Sequence, residues 1–461
     1  MTELNNLDKT MTIIGNPNPS EEQLRVCKEV LKGGNHAIFG ETGTGKTRLI
    51  RLIVEELKGM GKKVLCVAPN YTATFNMGIK EALPIRHAFH MLTYDFACFS
   101  YIKDDQERVE GLIPSWENGY LFMPVIPDTL IIDEISMCRS DIFAVLDRIM
   151  RIVKKTDMPF GGTQLIVVGD PMKIVQLAPW GYPDHFIRSK FGSLYCFDTQ
   201  SWSEANFKIH KLTTIYRQSQ DPLLNKYLHA MHSFSITDSD LKELNAKFTS
   251  QQYSKDKHCI LECCPLHAYV ANKNTKIQAK TALNFYATIQ GVFPSEEYPV
   301  ERCLSLNIGD KVLLTANYHD GFKTVYTSGD MGTFIGKSGE KPVVLLDRNN
   351  EPVEVSKHIW EQYEYPLTPN RENCNERVNS FIQYPIMLGY SVDVEEAQGM
   401  TFSGNIHMRL LLLPYIPCGL IYTALSRTKS LECISSTRRI VRRDLQPPKE
   451  ICDFMTKHDL L

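Results

Sequence analysis

Residues 40–47 read GETGTGKT and fit the pattern G-x-x-x-x-G-K-[ST]. An apolar run, NHAIFG, leads into the loop, and KTRLIRLIVEELKGMG leaves it with apolar residues at three-and-four spacing and a glycine stop. A strand, a glycine-rich loop and a helix in that order commit this part of the chain to a parallel sheet flanked by helices. Gly40, Gly43 and Gly45 let the backbone turn tightly, and with Thr44 the loop aims its N–H groups at phosphate oxygens. Lys46 reaches the β- and γ-phosphates, and the Thr47 hydroxyl is offered to Mg²⁺. The loop alone does not say what nucleotide hydrolysis would drive.

Three more short apolar runs, KKVLCVAP, DTLIIDE and TQLIVVGD, read as buried strands of the same sheet. The strand in LIIDEIS ends in Asp133, placed for the Mg²⁺ shell. Glu134 follows, and a carboxylate there can orient and deprotonate an attacking water. In NPSEEQLRV, Gln23 opens an amphipathic helix, and its amide can donate to and accept from an adenine edge.

From about residue 300 the pattern changes. Gly, Asp and Asn turns separate short β-rich runs, as in a small antiparallel barrel. Parallel-type strands are expected again in SFIQYPIMLGYSV and GNIHMRLLLL, so the β module reads as an insertion into a second α/β domain. The 461 residues suit about three domains at roughly 150 residues each. A formal net charge of −2 argues against a general polycation, so nucleic-acid binding would need a local basic groove. Thirteen cysteines without a C-x-x-C pair, the group Cys259, Cys263 and Cys264 included, read as free thiols rather than zinc ligands. With no secretory signal or transit peptide, they suggest a reducing intracellular compartment, with nucleus and prokaryotic or viral cytoplasm both open. The apolar runs are too short and interrupted for a membrane span.

The segments LIIDEISMCRSDIFAVLDRIMR, PFGGTQLIVVGDPMKIVQL, LTTIYRQSQD, SGDMGTF, FIQYPI, AQGMTF and GLIYTALSR occur in that order. Together, from about residue 17 to 435, the chain resembles DNA helicases of the petite-integration-frequency (PIF) family and their RecD-like relatives, the 5′-to-3′ branch of superfamily one. The resemblance implies two RecA-like parallel-sheet domains of P-loop NTPase type, with a small SH3-like β-barrel inserted in the second. The corresponding boundaries are 1–200 for the first domain, with a small insertion around 93–125, then 201–300 plus 377–461 for the second and 301–376 for the inserted module. ATP lies in the cleft between the two RecA-like domains. Arg217 in YRQ and Arg427 in ALSR match arginines that reach the γ-phosphate from the second domain, and Gln398 and Gly399 match the motif linking ATP to DNA. The implied DNA path takes in Pro69, Asn70, Thr72, His87, Phe89 as a base-stacking ring, and Thr401. The basic runs with Arg148, Arg151, Lys154 and Lys155, and with Arg438, Arg439, Arg442 and Arg443, suit solvated helix faces better than phosphate contacts.

Four positions depart from the family pattern. Ser328 stands where Asn is usual. Lys173 stands where a γ-phosphate-sensing Gln is usual, with Gln176 three residues on. Glu395 and Glu396 replace a His and a basic residue before QG. The resemblance implies an ATP- and Mg²⁺-dependent helicase that is monomeric, acts on single-stranded DNA and duplex junctions, and works beside other replication or repair proteins. Two alternatives stay open: a catalytically weakened helicase-like subunit for DNA binding or assembly, and an RNA helicase of viral type.

Overall fold

A computed structural model describes residues 19–69, 71–79, 81–89, 126–173, 184–216, 221–250, 258–262, 265–275, 282–293, 295, 298–320, 323–364, 377–398, 400–410 and 419–461. The insertion expected around 93–125 lies outside these residues, as do Asn70, Gln176, Arg217, Cys263, Cys264 and Gly399.

The first sheet holds β1 (His36–Gly40), β2 (Val64–Ala68), β3 (Leu83–Pro84), β4 (Thr129–Ile132), β5 (Gln164–Gly169) and β6 (Lys208–Leu212), in the spatial order β3-β2-β4-β5-β1-β6. Every pairing is parallel. The four strands read from the apolar runs are β1, β2, β4 and β5. Side chains alternate faces along each strand. Ile38, Cys66, Ile131, Ile166 and Val168 therefore pack under helices α1 (Glu21–Val30) and α2 (Lys46–Gly59). Ala37, Phe39, Leu65, Val67, Leu130, Ile132, Leu165 and Val167 enter a second apolar core on the opposite face.

That second core is shared. It continues into a four-stranded parallel sheet of residues 391–393, 258–262, 405–408 and 434–436, in that spatial order, and into the helix Leu420–Leu425. All its pairings are parallel. A five-stranded antiparallel sheet of residues 352–354, 341–346, 331–338, 311–314 and 386–388 has its own core around Phe334, Val312, Leu314 and Ile386, and its Leu313 and Met331 join the shared core.

The pairings shift the expected boundaries. Lys208–Leu212 extends the first sheet past residue 200 because it pairs with β1. Leu283–Tyr286 pairs with Cys303–Leu306, and Thr288–Gln290 pairs with Arg377–Gln383, so antiparallel structure begins before residue 301 and runs beyond 376. Within SFIQYPIMLGYSV only its last two residues, the start of Ser391–Asp393, join the parallel sheet; Ile386–Leu388 pairs antiparallel with Lys311–Leu314. Alternating apolar residues fit either kind of pairing, so pattern alone misplaced these strands. Finally, the helix Lys449–Lys457 returns to the first layer, where the Phe454 ring stacks on Phe197 with centroids 4.2 Å apart and meets Phe39 edge-on at 5.5 Å.

Candidate nucleotide site

The loops after β1, β4 and β5 leave the same, carboxyl-terminal edge of the first sheet, where open α/β sheets place their ligands. Between these loops and the second parallel layer lies an open cleft of 580 Å³. Its walls include Gly43, Gly45, Lys46, Thr47, Asp133, Glu134 and Lys173 from the first layer. Thr401, Arg427 and Lys429 face them, and Asn317, Thr327 and Ser328 come from the antiparallel module.

The phosphate loop is held from below. The Gln23 side chain accepts from Ser20 N–H at 3.2 Å, closing the cap of α1, and donates to the Gly45 carbonyl at 3.2 Å. Gly45 has φ +77°, and a Cβ there would lie 2.6 Å from Gln23 Nε2, so both backbone conformation and space call for glycine. Thr44 Oγ1 donates to the Glu41 carbonyl at 2.9 Å. Lys46 Nζ donates to the carbonyls of Gly40 and Glu41 at 2.7 and 2.9 Å. Burial, with Lys173 nearby, lowers the Lys46 pKa to about 8.

Asp133 and Glu134 end the neighbouring strand. Asp133 Oδ1 accepts the Glu134 N–H at 2.8 Å, and burial reinforced by the Glu134 charge pushes the Asp133 carboxyl up to about 7. Glu134 sits at φ 50°, ψ 48°, a left-handed conformation uncommon for a non-glycine residue. Its side chain meets Lys173, whose Nζ donates to Glu134 Oε1 at 2.5 Å and to Oε2 at 2.7 Å. Burial raises the Glu134 pKa, but Lys173 and Lys46 outweigh it and hold the carboxyl below the usual range.

The second layer adds cations and a buried phenol. Arg427, 1% exposed, donates through Nε to the Thr423 carbonyl at 3.2 Å. Its Nη1 donates to the Met400 carbonyl at 3.2 Å and its Nη2 to Ser426 Oγ at 2.8 Å. On the short helix Leu420–Leu425 just before it, Tyr422 donates its hydroxyl to Asp170 Oδ2 at 2.7 Å and accepts from Thr42 N–H at 3.4 Å. The antiparallel module locks on here as well. Gly329, at φ +95°, lies so close that a Cβ would stand 2.3 Å from the Thr401 carbonyl oxygen. The Phe402 N–H in turn donates to the Arg427 carbonyl at 2.8 Å.

The structure gathers Gly43, Gly45, Lys46, Thr47, Asp133, Glu134 and Arg427 in one cleft, with Gly40 and Thr44 in the loop that forms its floor. Several expectations change. Gln23, 1% exposed, spends its amide on the helix cap and the loop rather than facing a base. Phe89, also 1% exposed, belongs to the apolar core and offers no ring to a DNA base. Thr401 lines the nucleotide cleft. Gln398 is buried outside the cleft lining, and neither of its amide atoms has a hydrogen-bond partner among the described residues. Pro69 is half-buried at the end of β2, while the side chains of Thr72 and His87 lie outside the description. Arg151, Arg438 and Arg442 of the basic runs are ion-paired to Asp147, Asp444 and Asp238. Glu395 is half-buried and Glu396 exposed, with both backbone N–H groups turned to Asp393.

Sequence reading missed Tyr422, Asp170, Lys429 and Tyr216, whose ring lines the cleft and is 45% exposed. Tyr216 N–H donates to the Gly43 carbonyl at 2.8 Å, a link between distant segments that no local pattern announces. Among the described residues there is no cluster of His, Cys, Asp or Glu fit to hold a metal, and no helix long and apolar enough to cross a membrane.

Fold and site together define a P-loop α/β protein in which a second parallel layer closes the nucleotide cleft. Residues 19–243 match the family model described as PIF1-like helicase. The ATP-dependent DNA helicase PIF1 of Homo sapiens is 25% identical over 459 residues, which cover 96% of this chain and 63% of that protein. The crystal structure of Bacteroides sp Pif1 in complex with ADP-AlF4 aligns with a TM-score of 0.75 at 24% identity, over 96% of this chain and 98% of that one. The Bacteroides Pif1 bound to ssDNA aligns with a TM-score of 0.60 at 23% identity, over 96% and 97%. The matched stretch is just under half of this chain, which is similar to PIF1-like helicases and spans about three-fifths of the length of the curated relatives it matches.

Proposed function

We infer that this chain is an ATP-dependent DNA helicase, which hydrolyses ATP to move along single-stranded DNA and open duplexes. The observation that carries the reading is the convergence, in one cleft, of Lys46, Asp133, Glu134 and Lys173 from the first layer with Arg427 and Lys429 from the second. A site split between two layers can open and close as nucleotide is bound and spent, which is how hydrolysis drives motion. The names of the relatives point the same way.

Each residue has a chemical task. Loop N–H groups and Lys46 hold the phosphates, and the exposed Tyr216 ring beside the loop offers a flat surface to a base. Thr47 and Asp133 line the same cleft and supply oxygen donors, the kind Mg²⁺ prefers; the buried Asp133 carboxylate gains most from a cation beside it. Bound there, Mg²⁺ would neutralise charge on the β- and γ-phosphates. Glu134 accepts the proton of the attacking water, and Arg427 stabilises the charge that develops on the phosphoryl group.

The DNA contacts proposed are Pro69, Asn70, Thr72 and His87, by resemblance to the family, with 5′-to-3′ polarity and a monomeric motor on the same ground. The free thiols at Cys27, Cys66, Cys138, Cys196 and Cys259 support a reducing compartment. A weakened, non-catalytic subunit is the second reading, favoured by Lys173 and by Glu395–Glu396. Steady-state ATP turnover by the purified chain, with and without single-stranded DNA, decides between them. Turnover that rises with DNA and disappears in Lys46→Ala and Glu134→Gln is expected. Turnover indifferent to DNA would overturn the motor.

A further inference from the structure

Lys173 lies on the tight turn after β5, fixed by its own N–H to the Asp170 carbonyl at 3.1 Å and by Met172 N–H to Asp170 Oδ1 at 3.1 Å. Because β5 neighbours β4, this turn stands beside Asp133 and Glu134. The Lys173 side chain is 4% exposed and its ammonium caps both oxygens of the Glu134 carboxylate. An ammonium bridging both oxygens takes one lone pair of each and neutralises the charge, so the carboxylate is a poorer base for a water while the pair holds. Lys46, the other cation at this point, is held by two loop carbonyls. Arg427 and Lys429 complete a ring of positive charge around the same space.

We propose that Lys173 is a γ-phosphate ligand held in reserve by Glu134, so that a terminal phosphate entering the cleft takes the ammonium and thereby frees the carboxylate for the water. The proposal rests on the nucleotide-hydrolase reading and assigns to Lys173 a role in it. The physical ground is exchange. Breaking a buried ion pair outright leaves two uncompensated charges at large cost. A γ-phosphate offers the ammonium a replacement anion, while the released carboxylate turns towards the water and the remaining cations. A nucleoside diphosphate lacks the third phosphate and leaves the pair intact. Triphosphate and diphosphate are thus distinguished at the residue that does the chemistry.

A binding cycle tests this without hydrolysis. The probes are a β,γ-methylene ATP analogue and ADP, each with Mg²⁺ and no DNA, titrated calorimetrically into wild type, Glu134→Gln, Lys173→Met and the double variant. Glu134→Gln removes the charge that holds Lys173 and is expected to tighten the analogue about tenfold, on the scale of one charge-assisted hydrogen bond. Lys173→Met is expected to weaken it by a similar factor, and ADP affinity should stay within twofold throughout, which also reports correct folding. In the Lys173→Met background Glu134→Gln should no longer tighten the analogue. Tightening that persists there would mean that Glu134 acts on the phosphate directly, and would overturn the proposal alone. Wild type that binds ADP and the analogue equally would overturn it too. Wild type that binds neither nucleotide would overturn the hydrolase reading itself.

Discussion

The Tyr422 hydroxyl donates to Asp170 Oδ2 at 2.7 Å, joining the helix of the second layer to the turn that carries Lys173 in the first. Both groups are buried, and His232 Nε2 lies 3.4 Å from the other Asp170 oxygen. Burial opposes the Asp170 charge, yet His232, Lys46 and Lys173 hold its pKa well below the carboxylate range. A charged Asp170 thus anchors the second layer beside the site. Tyr422→Phe leaves that carboxylate one donor short, at a cost of about 1–3 kcal/mol. A lowered apparent Tm is expected, and ATP turnover should fall further than the residual folded fraction explains. Thermal unfolding and turnover on the same preparation check both; an unchanged Tm would show that the link contributes nothing.

Arg427 matches, by its place in ALSR, an arginine that reaches the γ-phosphate. Its burial and its bonds to Thr423, Ser426 and Met400 give it a structural task as well. Arg427→Ala is therefore expected to lower both turnover and Tm. Arg427→Lys keeps the charge but not the planar fork, so it should lose turnover by about 10³, on the scale of arginine fingers, with a much smaller change in Tm. If turnover and Tm fall in proportion in both variants, Arg427 serves the fold alone.

His36 and His210 stack between β1 and β6, with Nδ1 of His36 2.9 Å from Nε2 of His210. Burial, with His36 and Lys208 beside it, lowers the His210 pKa to about 4. The folded state then binds fewer protons than the unfolded chain between about pH 6.5 and 4. Stability from this residue is full above pH 6.5 and is lost as pH falls through that window. At pH 5 the loss is roughly 1–2 kcal/mol, after allowing for partial solvent screening. Apparent Tm followed from pH 7 to 5 should fall more steeply in wild type than in His210→Gln. Parallel curves would contradict this assignment.

The phosphate loop, the DE pair and the first sheet were legible because their determinants are local: an apolar strand, a glycine at a fixed offset, a helix start. Gln23 was misread because its partner, the Gly45 carbonyl, is set by tertiary packing. Phe89 was misread because alignment with a DNA-facing segment does not reveal which side of the helix meets the core. Lys173 was legible as a departure, but its hold on Glu134 depends on β4 and β5 being neighbours. Tyr422 and Gly329 matter through contacts with residues far off in the chain, Asp170 and Thr401, which no short pattern contains.

The central claim is that nucleotide hydrolysis in this cleft drives movement along DNA, and strand displacement tests it most directly. Duplexes carrying a 5′ tail, a 3′ tail or no tail are to be mixed with the purified chain, with ATP and Mg²⁺ or without ATP, and an RNA duplex run alongside. Opening of the 5′-tailed DNA duplex only when ATP is present, and its absence in Glu134→Gln, is the expected result. Opening that needs no ATP, or ATP turnover with no strand separated on any substrate, would contradict the account.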